Sequence, residues 1–433
     1  MVTLIKNIEE IFTAGEYKSS VKNGYILIKE DKIVETGKSI KSTIEQIEKE
    51  VDQVIDGSKM IAIPGLVNTH THAAMTLLRG YADDLPLQKW LENKIWPFES
   101  RLREEDIYWG TLLAIIEMIK TGTTTFLDMY FDMEQAAEAV RESGIRAVLS
   151  EGLIEENDKT EGLYSSLEFA REWQNKAEGR ITTMLAPHSP YTCSESYLKE
   201  IIKLSERHSL PINIHLAETL NEVEIIKDKY NTTPVKYLEK IGLFSRPVIA
   251  AHCVHLNKEE KDILAENNTG IAYNPLSNMK LGSGIAPAID YYKRGINIGF
   301  GTDGAASNNN LDLFEEAKIG SYLQKVEQLD ASIFNTQDLL NMLTWKGARA
   351  LNIDKLGKIK KGYKADIVLI DNHSLSHFCP DHDYLSNLFY SAGSRGVETV
   401  IINGQLILNK GEILTLDEVS IYKEVARRAR QLA

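Results

Sequence analysis

The rhythm of apolar and polar positions changes twice along this chain. Up to residue 60 it alternates over short stretches: 24–30, 32–36, 53–55 and 60–63 read as strands, with Asp31 turning between the first two. From Ile61 onward, apolar runs of strand length are separated by amphipathic helical stretches, the texture of βα units around a parallel sheet. Eight such runs are legible, at 61–67, 123–128, 146–150, 181–186, 211–216, 248–252, 270–274 and 296–302. Eight is the number that closes a barrel. The first, fifth and sixth runs are spaced at about 36 residues per unit, an ordinary size for βα units. Beyond residue 353, β character returns over 356–371, and a hairpin spans 397–408 around the two-residue turn Asn403-Gly404. An amphipathic helix follows from Asp417.

The pattern therefore predicts an α/β fold. A (β/α)8 TIM-type barrel occupies 61–352, and 1–60 with 353–433 form a small composite β-sandwich domain from both chain ends. A doubly wound open sheet is the rival, but it does not gather side chains from its first and last strands so naturally.

Composition narrows the partners. At 433 residues and 43% hydrophobic, the chain can bury a large core. A net charge of −13 argues against binding a phosphate backbone, which needs clustered Lys and Arg. Cys193, Cys253 and Cys379 are widely spaced, which disfavours both a disulfide framework and a thiolate zinc site. The sequence does not open on a basic-then-apolar leader, and no apolar stretch approaches the ~20 residues of a membrane helix. The expected partner is a small molecule rather than nucleic acid or membrane, and the expected compartment is the cytoplasm.

Metal-type side chains recur where the apolar runs end. His70 and His72 close Asn-Thr-His-Thr-His, His215 closes Ile-Asn-Ile-His, and Asp303 follows Phe-Gly-Thr. Side chains at the C-terminal ends of barrel strands converge on one mouth, so residues far apart in sequence can share an ion. His-x-His on a strand places both imidazoles on one face. A third imidazole and a carboxylate complete a set suited to a borderline cation such as Zn²⁺, with water at the open position. Glu218, three residues past His215, can reach the bound ligand as a proton carrier, and His252 offers another nitrogen at the next strand end.

Other polar residues carry plainer readings. His208 and His255 are expected on helix or loop surfaces, and His373, His377 and His382 near Cys379 in a solvated loop. The stretch from Gly299 to Gly304 matches Gly-x-Gly-x-x-Gly, but it lacks a βαβ continuation and an acidic residue in ribose register. Its glycines are expected to let the backbone turn around Asp303.

Taken together, Pro64–His72, His215-Leu-Ala-Glu218, His252, Gly301-Thr-Asp303, Lys361–Asp366 and Val400–Gly404 resemble the amidohydrolase superfamily over nearly the whole chain. Within it they look like the branch of nucleoside and nucleobase deaminases and triazine hydrolases. Binuclear members bridge two metals through a carbamylated lysine at the fourth strand end. Here Ala186-Pro-His188 has no lysine, which implies one divalent ion, Zn²⁺ or Fe²⁺, on His70, His72, His215 and Asp303.

The stretch from Asp83 to Glu99 is similar to the loop after the first strand in 5′-methylthioadenosine/S-adenosylhomocysteine deaminases. That resemblance implies that Glu99 accepts from the ribose hydroxyls and Trp90 packs against the nucleoside. It also implies that His188, Ser307, Glu218 and Asp303 contact the substrate. A carboxylate can accept from a vicinal diol, and an indole supplies broad apolar contact. One departure stands out: the family often carries an arginine after the third strand, where this chain has Ser150-Glu151-Gly152. Glu151 in that place is expected to repel the carboxylate of S-adenosylhomocysteine.

The activity implied is hydrolytic deamination of an adenosine-type nucleoside to its inosine-type product and ammonia. A cation lowers the pKa of water. Asp303 is implied as ligand and base, Glu218 as the proton donor to purine N1, and His252 as a hydrogen-bond partner of the attacking oxygen. Guanine, cytosine or isocytosine deaminases and triazine hydrolases share this metal set and are the alternatives. A non-catalytic scaffold is disfavoured because every expected ligand is present. The resemblance also implies a homo-oligomer, with no seam legible in the sequence.

Overall fold

The first apolar run divides at Pro64-Gly65, and two different sheets begin there. The structure, a computed structural model, describes residues 1–15, 20–85 and 87–432, so Pro86 of the Asp83–Glu99 stretch lies outside the described residues. In chain order the strands are β1 (Val2–Phe12), β2 (Ser20–Lys29), β3 (Lys32–Lys38), β4 (Gln53–Asp56), β5 (Met60–Pro64), β6 (Leu66–Thr71), β7 (Thr123–Tyr130), β8 (Arg146–Leu153) and β9 (Ile181–Thr183). There follow β10 (Ala186–Pro187), β11 (Ile212–Leu216), β12 (Val248–His252), β13 (Gly270–Tyr273), β14 (Ile298–Phe300), β15 (Ile367–Asp371), β16 (Val397–Ile402), β17 (Gln405–Asn409) and β18 (Glu412–Ile413).

Strands β6 to β14 form two all-parallel sheets, one in the order β10-β8-β7-β6 with β9 beside β8, the other β11-β12-β13-β14. On one side the sheets are joined by a parallel bridge between Leu185 and Ile212. On the other, Asp303 N–H donates to the His70 carbonyl at 3.0 Å and Thr69 Oγ1 to the Phe300 carbonyl at 2.9 Å. Every residue of β6, β7, β11 and β12 is buried, as expected when parallel strands are covered on both faces. Helices alternate with these strands, among them Glu104–Lys120, Met133–Ser143, Glu195–His208, Leu220–Tyr230 and Lys258–Glu266. Their starts are locally encoded: Ser194 Oγ accepts from Tyr197 N–H, and Asn257 with Glu260 forms a reciprocal capping box, caps worth about 1 kcal/mol each.

The remaining strands make one mixed sheet in the order β18-β17-β16-β15-β5-β1-β2-β3, with β4 beside β1, so both chain ends share it. Ile5, Ile26 and Ile33 pack with Ile367, Leu369 and Ile401 in one apolar cluster. A buried bidentate pair ties this sheet to β8: Arg146 Nε donates to Asp366 Oδ2 at 3.0 Å and Nη2 to Oδ1 at 3.1 Å. Asn403, in the predicted hairpin turn, donates its N–H to Asp366 Oδ1 and accepts from Arg146 Nη2.

Three expectations need correction. The run at 61–67 is two strands, because Gly65 sits where a Cβ would lie 2.1 Å from Thr124 Oγ1 and the chain passes from the mixed sheet to the parallel one. Strand β1 was not foreseen; Asn7 at φ 59° and a register shift between Ile5 and Ile8 break its alternation. Only Ile367–Asp371 of the stretch 356–371 is a strand, since Lys355, Gly357 and Gly362 take left-handed backbone that no strand continues through. No helix among the described residues is long and apolar enough to cross a membrane.

Candidate active site

His70 lies in β6 with His72 directly after it, His215 lies in β11, His252 ends β12, and Asp303 follows β14. The parallel register brings these distant residues together at one end of the sheets. Ala217, His252, Cys253 and Asp303 all take left-handed backbone (φ 50°, 72°, 50° and 57°) where the strands give way to loops. Such non-glycine conformations cost on the order of 1–3 kcal/mol each and cluster at sites where a side chain must be aimed. The glycines near Asp303 act by close approach rather than by turning. A Cβ at Gly301 would meet Asn274 Oδ1 at 2.3 Å, and one at Gly299 would meet Thr69 Cγ2 at 2.3 Å; Asp303 itself makes the turn.

Asp303 Oδ1 lies 3.5 Å from His70 Nε2 and 3.2 Å from His72 Nε2, and His72 Nε2 lies 3.4 Å from His215 Nε2. Four atoms placed tetrahedrally about an ion at Zn–N distances stand about 3.3 Å apart, so the spacing suits a small cation. The donor orientation agrees. His72 Nδ1–H donates to the Met129 carbonyl at 2.5 Å and His215 Nδ1–H to the His188 carbonyl at 2.8 Å, which leaves a lone pair on each of the two Nε2 atoms that face one another. Both ring nitrogens of His70 are buried without a hydrogen-bond partner, and an ion at Nε2, the nitrogen toward Asp303, would occupy one of them. Burial drives His70 down to about 4 and His215 well below the ordinary histidine range, keeping both in the neutral form a metal needs. Burial also opposes protonation of His72, yet the Asp303 carboxylate overrides it and raises this ring to about 9. Burial works against the Asp303 anion too, but His70 and His72 hold it well below the usual carboxylate range. The pocket thus favours positive charge between these groups, and a divalent cation fits it.

Asp303 Oδ2 points away from the imidazoles and accepts from Ser277 Oγ at 2.6 Å and Ser307 Oγ at 2.9 Å. Glu218 is lifted to about 7, first by burial and then by repulsion from Asp303. His252 differs from the other rings. Asn278 Nδ2 donates to its Nδ1 at 2.9 Å, which makes Nε2 an N–H donor, 3.9 Å from Glu218 Oε2. His252 therefore presents a hydrogen to the site where His72 and His215 present lone pairs.

Above this floor opens a cleft of about 870 Å³, including its mouth. His188, Ser307, Glu99 and Trp90 all line it, so the predicted contacts come together. Trp90 is buried with its Nε1–H on the Ala82 carbonyl, while Glu99 accepts from Tyr130 O–H at 2.7 Å. Burial raises the Glu99 carboxyl, and the Tyr130 bond works against that rise. Leu87, Leu91, Ile95, Trp96, Phe131 and Ile154 add apolar wall.

Glu151 is not among the residues lining the cleft; Gly152 is. Glu151 is half-buried near the end of β8, beside Ser150, whose Oγ donates to the Asp128 carbonyl, and it pairs in register with Tyr130 of β7. His255 is not a surface residue either: it is half-buried and donates from Nε2 to the Ser283 carbonyl at 2.7 Å. His208 ends its helix outside the cleft, and His373, His377 and His382 are exposed as expected. Ser277, Ser283, Asn278, Tyr130 and Glu222 escaped the sequence reading, although the Thr219-x-x-Glu222 capping pattern was available to it.

The chain matches known proteins along almost all of its length. Residues 61–407 match the Amidohydrolase family. A protein of Halothermothrix orenii named 5-methylthioadenosine/S-adenosylhomocysteine deaminase is 53% identical over 431 residues, covering 99% of this chain and 100% of that one. A protein of the same name from Carboxydothermus hydrogenoformans is 49% identical over 414 residues, 95% of either chain. Among solved structures, an adenosine deaminase from Xanthomonas campestris with bound zinc superposes with a TM-score of 0.93 at 31% identity, covering 99% of this chain and 98% of that one.

Proposed function

Since the chain belongs to the amidohydrolase family, we propose that it is a metal-dependent deaminase of adenosine-type nucleosides, 5′-methylthioadenosine foremost. The observation that carries this reading is the meeting of Glu218, Asp303 and His252 at the floor of a cleft whose wall holds Glu99 and Trp90. We take the two linked parallel sheets as halves of one (β/α)8 barrel that runs to 352 and starts with β6 at Leu66 rather than at 61. The mixed sheet, whose distant strands share an apolar cluster, we take as a composite β-sandwich domain of 1–60, extended through β5 to Pro64, and 353–433.

His70, His72, His215 and Asp303 would hold the ion, for which we propose Zn²⁺; the zinc in the adenosine deaminase of similar fold supports this choice. When bound, it supplies Lewis-acid activation of water near neutral pH. The protein's own groups do the rest. Asp303, held as an anion by His70 and His72, accepts a proton from the attacking water, and Ser277 and Ser307 fix its carboxylate plane. Glu218, protonated near neutrality, donates to N1 of the purine, which makes C6 electrophilic. His252 Nε2–H donates to the oxygen added at C6. The proton held by Asp303 passes to the departing amine, the C6–N bond breaks and ammonia leaves, while the hydroxyl at C6 gives its proton back to the Glu218 carboxylate as the C6=O bond forms.

Glu99 in the wall favours a ribose over a bare base, and the apolar residues beside it suit a 5′-methylthio or 5′-deoxy group. Ammonia release should be measured across adenosine derivatives, guanine and isocytosine. Turnover of guanine or isocytosine with none of the adenosines overturns the reading.

A further inference from the structure

The carboxyl of Glu218 can be aimed only if its backbone is fixed, and that backbone sits in an unusual turn. β11 ends at Leu216, Ala217 takes left-handed backbone at φ 50°, and the helix Leu220–Tyr230 begins two residues beyond Glu218. Thr219 caps that helix, its Oγ1 accepting from Glu222 N–H at 3.3 Å. In an ordinary capping box the Glu222 side chain would reach back to the N–H of the cap itself. Here it reaches further. Oε1 accepts from Ala217 N–H at 2.8 Å and Oε2 from Glu218 N–H at 2.9 Å.

The other edge of the same turn is bound to the strand end that carries His252. Val254 and His255 donate their N–H groups to the Ala217 carbonyl, and Cys253 donates to that of Leu216, all at 3.0 Å. Glu222 thus closes the one side of the turn that the sheet leaves open. Glu222 is 3% exposed and borders the cleft floor, where burying an acid is costly unless its oxygens are occupied. Both of them are: burial raises this carboxyl to about 8, and the Ala217 and Glu218 amides work against that rise.

We infer that Glu222 is a positioning residue for the proton transfer: its carboxylate clamps the Ala217 and Glu218 amides and so holds Glu218 against the substrate and His252. This rests on the reading of Glu218 as the proton carrier. Glutamine at 222 offers one acceptor oxygen and turns an NH₂ toward the second amide, so Glu222→Gln removes half the clamp at nearly constant volume.

The test compares wild type, Glu222→Gln, Glu218→Gln and the double variant, all at equal metal content by elemental analysis. Glu222→Gln should lose kcat by roughly 10- to 100-fold, the cost of a displacement of about 1 Å, with KM within about threefold. In the Glu218→Gln background the same change should cost nothing further, because Glu222 acts only through Glu218. Hydrogen exchange followed by mass spectrometry should quicken over 216–219 alone. A kcat within about twofold of wild type, an equal loss in both backgrounds, or unchanged exchange at 216–219 overturns the inference. A wild type silent on every nucleoside would count against the substrate reading only, since the exchange comparison still decides whether Glu222 clamps the turn.

Discussion

Ser283 Oγ donates to Glu218 Oε1 across 3.0 Å, while Oε2 of the same carboxyl stands 3.9 Å from His252 Nε2. One oxygen is thus engaged and the other is left to carry the proton. Burial is what lifts this acid to about 7, and the Ser283 bond opposes the rise. The acid works in its protonated form, so turnover is full below its pKa and falls as pH passes above it. Ser283→Ala removes an interaction that favours the anion. Its alkaline limb in a kcat–pH profile should therefore move to higher pH, and a downward or absent shift contradicts the assignment.

Two amides set the His252 tautomer by donating to Nδ1, Asn278 at 2.9 Å and Asn274 at 3.3 Å. Aspartate at 278 replaces the nearer donor with a charged acceptor, which outweighs Asn274, moves the hydrogen to Nδ1 and leaves a bare Nε2 in the neutral ring. Asn278→Asp should lose about 10²-fold in kcat, the cost of one donor to the reacting oxygen. The loss should deepen at alkaline pH, because the protonated ring still carries a hydrogen on Nε2. Steady-state rates between mildly acidic and alkaline pH decide this.

Metal content separates holding the ion from moving the proton. His72 faces Asp303 and His215 at 3.2 and 3.4 Å, so His72→Ala should purify with well under one equivalent of metal and almost no activity. Glu218→Gln should keep its metal and lose roughly 10²- to 10⁴-fold in turnover. Chelation of the wild type should abolish turnover, and added Zn²⁺ or Fe²⁺ should restore it. Full activity in demetallated protein would remove the basis of the mechanism.

Selectivity follows from the wall. Leu87, Leu91, Phe131 and Ile154 suit an apolar 5′ group, whereas Glu99, Glu218, Glu222 and Asp303 offer a substrate carboxylate no attraction. The ratio of kcat/KM should favour 5′-methylthioadenosine and 5′-deoxyadenosine over S-adenosylhomocysteine. A clear preference for S-adenosylhomocysteine refutes this.

The strand-end residues were legible because burial on both faces makes the parallel strands continuous apolar runs, and a polar residue ending such a run is conspicuous. That logic reached His70, His72, His215, His252 and Asp303, while the Asn403-Gly404 turn between antiparallel β16 and β17 was marked by its own dipeptide. It could not reach Ser277, Ser283 or Asn278. These sit on the loops and short helix after β13, where no period marks which side chain faces inward. Nor could it see Gly65 as a sheet boundary, because that role comes from contact with Thr124, more than fifty residues away. In β1 the left-handed Asn7 shifts the phase of the pattern midway, so two correct half-strands read as none.

The pair Arg146–Asp366 offers a test of stability independent of the chemistry. Both side chains are buried, and Asp366 also accepts from Asn403 N–H, so the carboxylate serves a guanidinium and a hairpin turn together. Asp366→Ala strands the Arg146 cation in the interior. The expected cost is about 3–5 kcal/mol, read as a lower urea midpoint. Replacing both partners with apolar residues of similar size should recover much of that loss, since the stranded charge rather than the missing attraction sets it. Asp366 is not among the residues lining the cleft, so the folded fraction of the single variant should turn over substrate at the wild-type rate. A variant of undiminished stability would mean that water reaches Arg146 when Asp366 is gone, and that the junction between β8 and the mixed sheet is looser than its hydrogen bonds indicate.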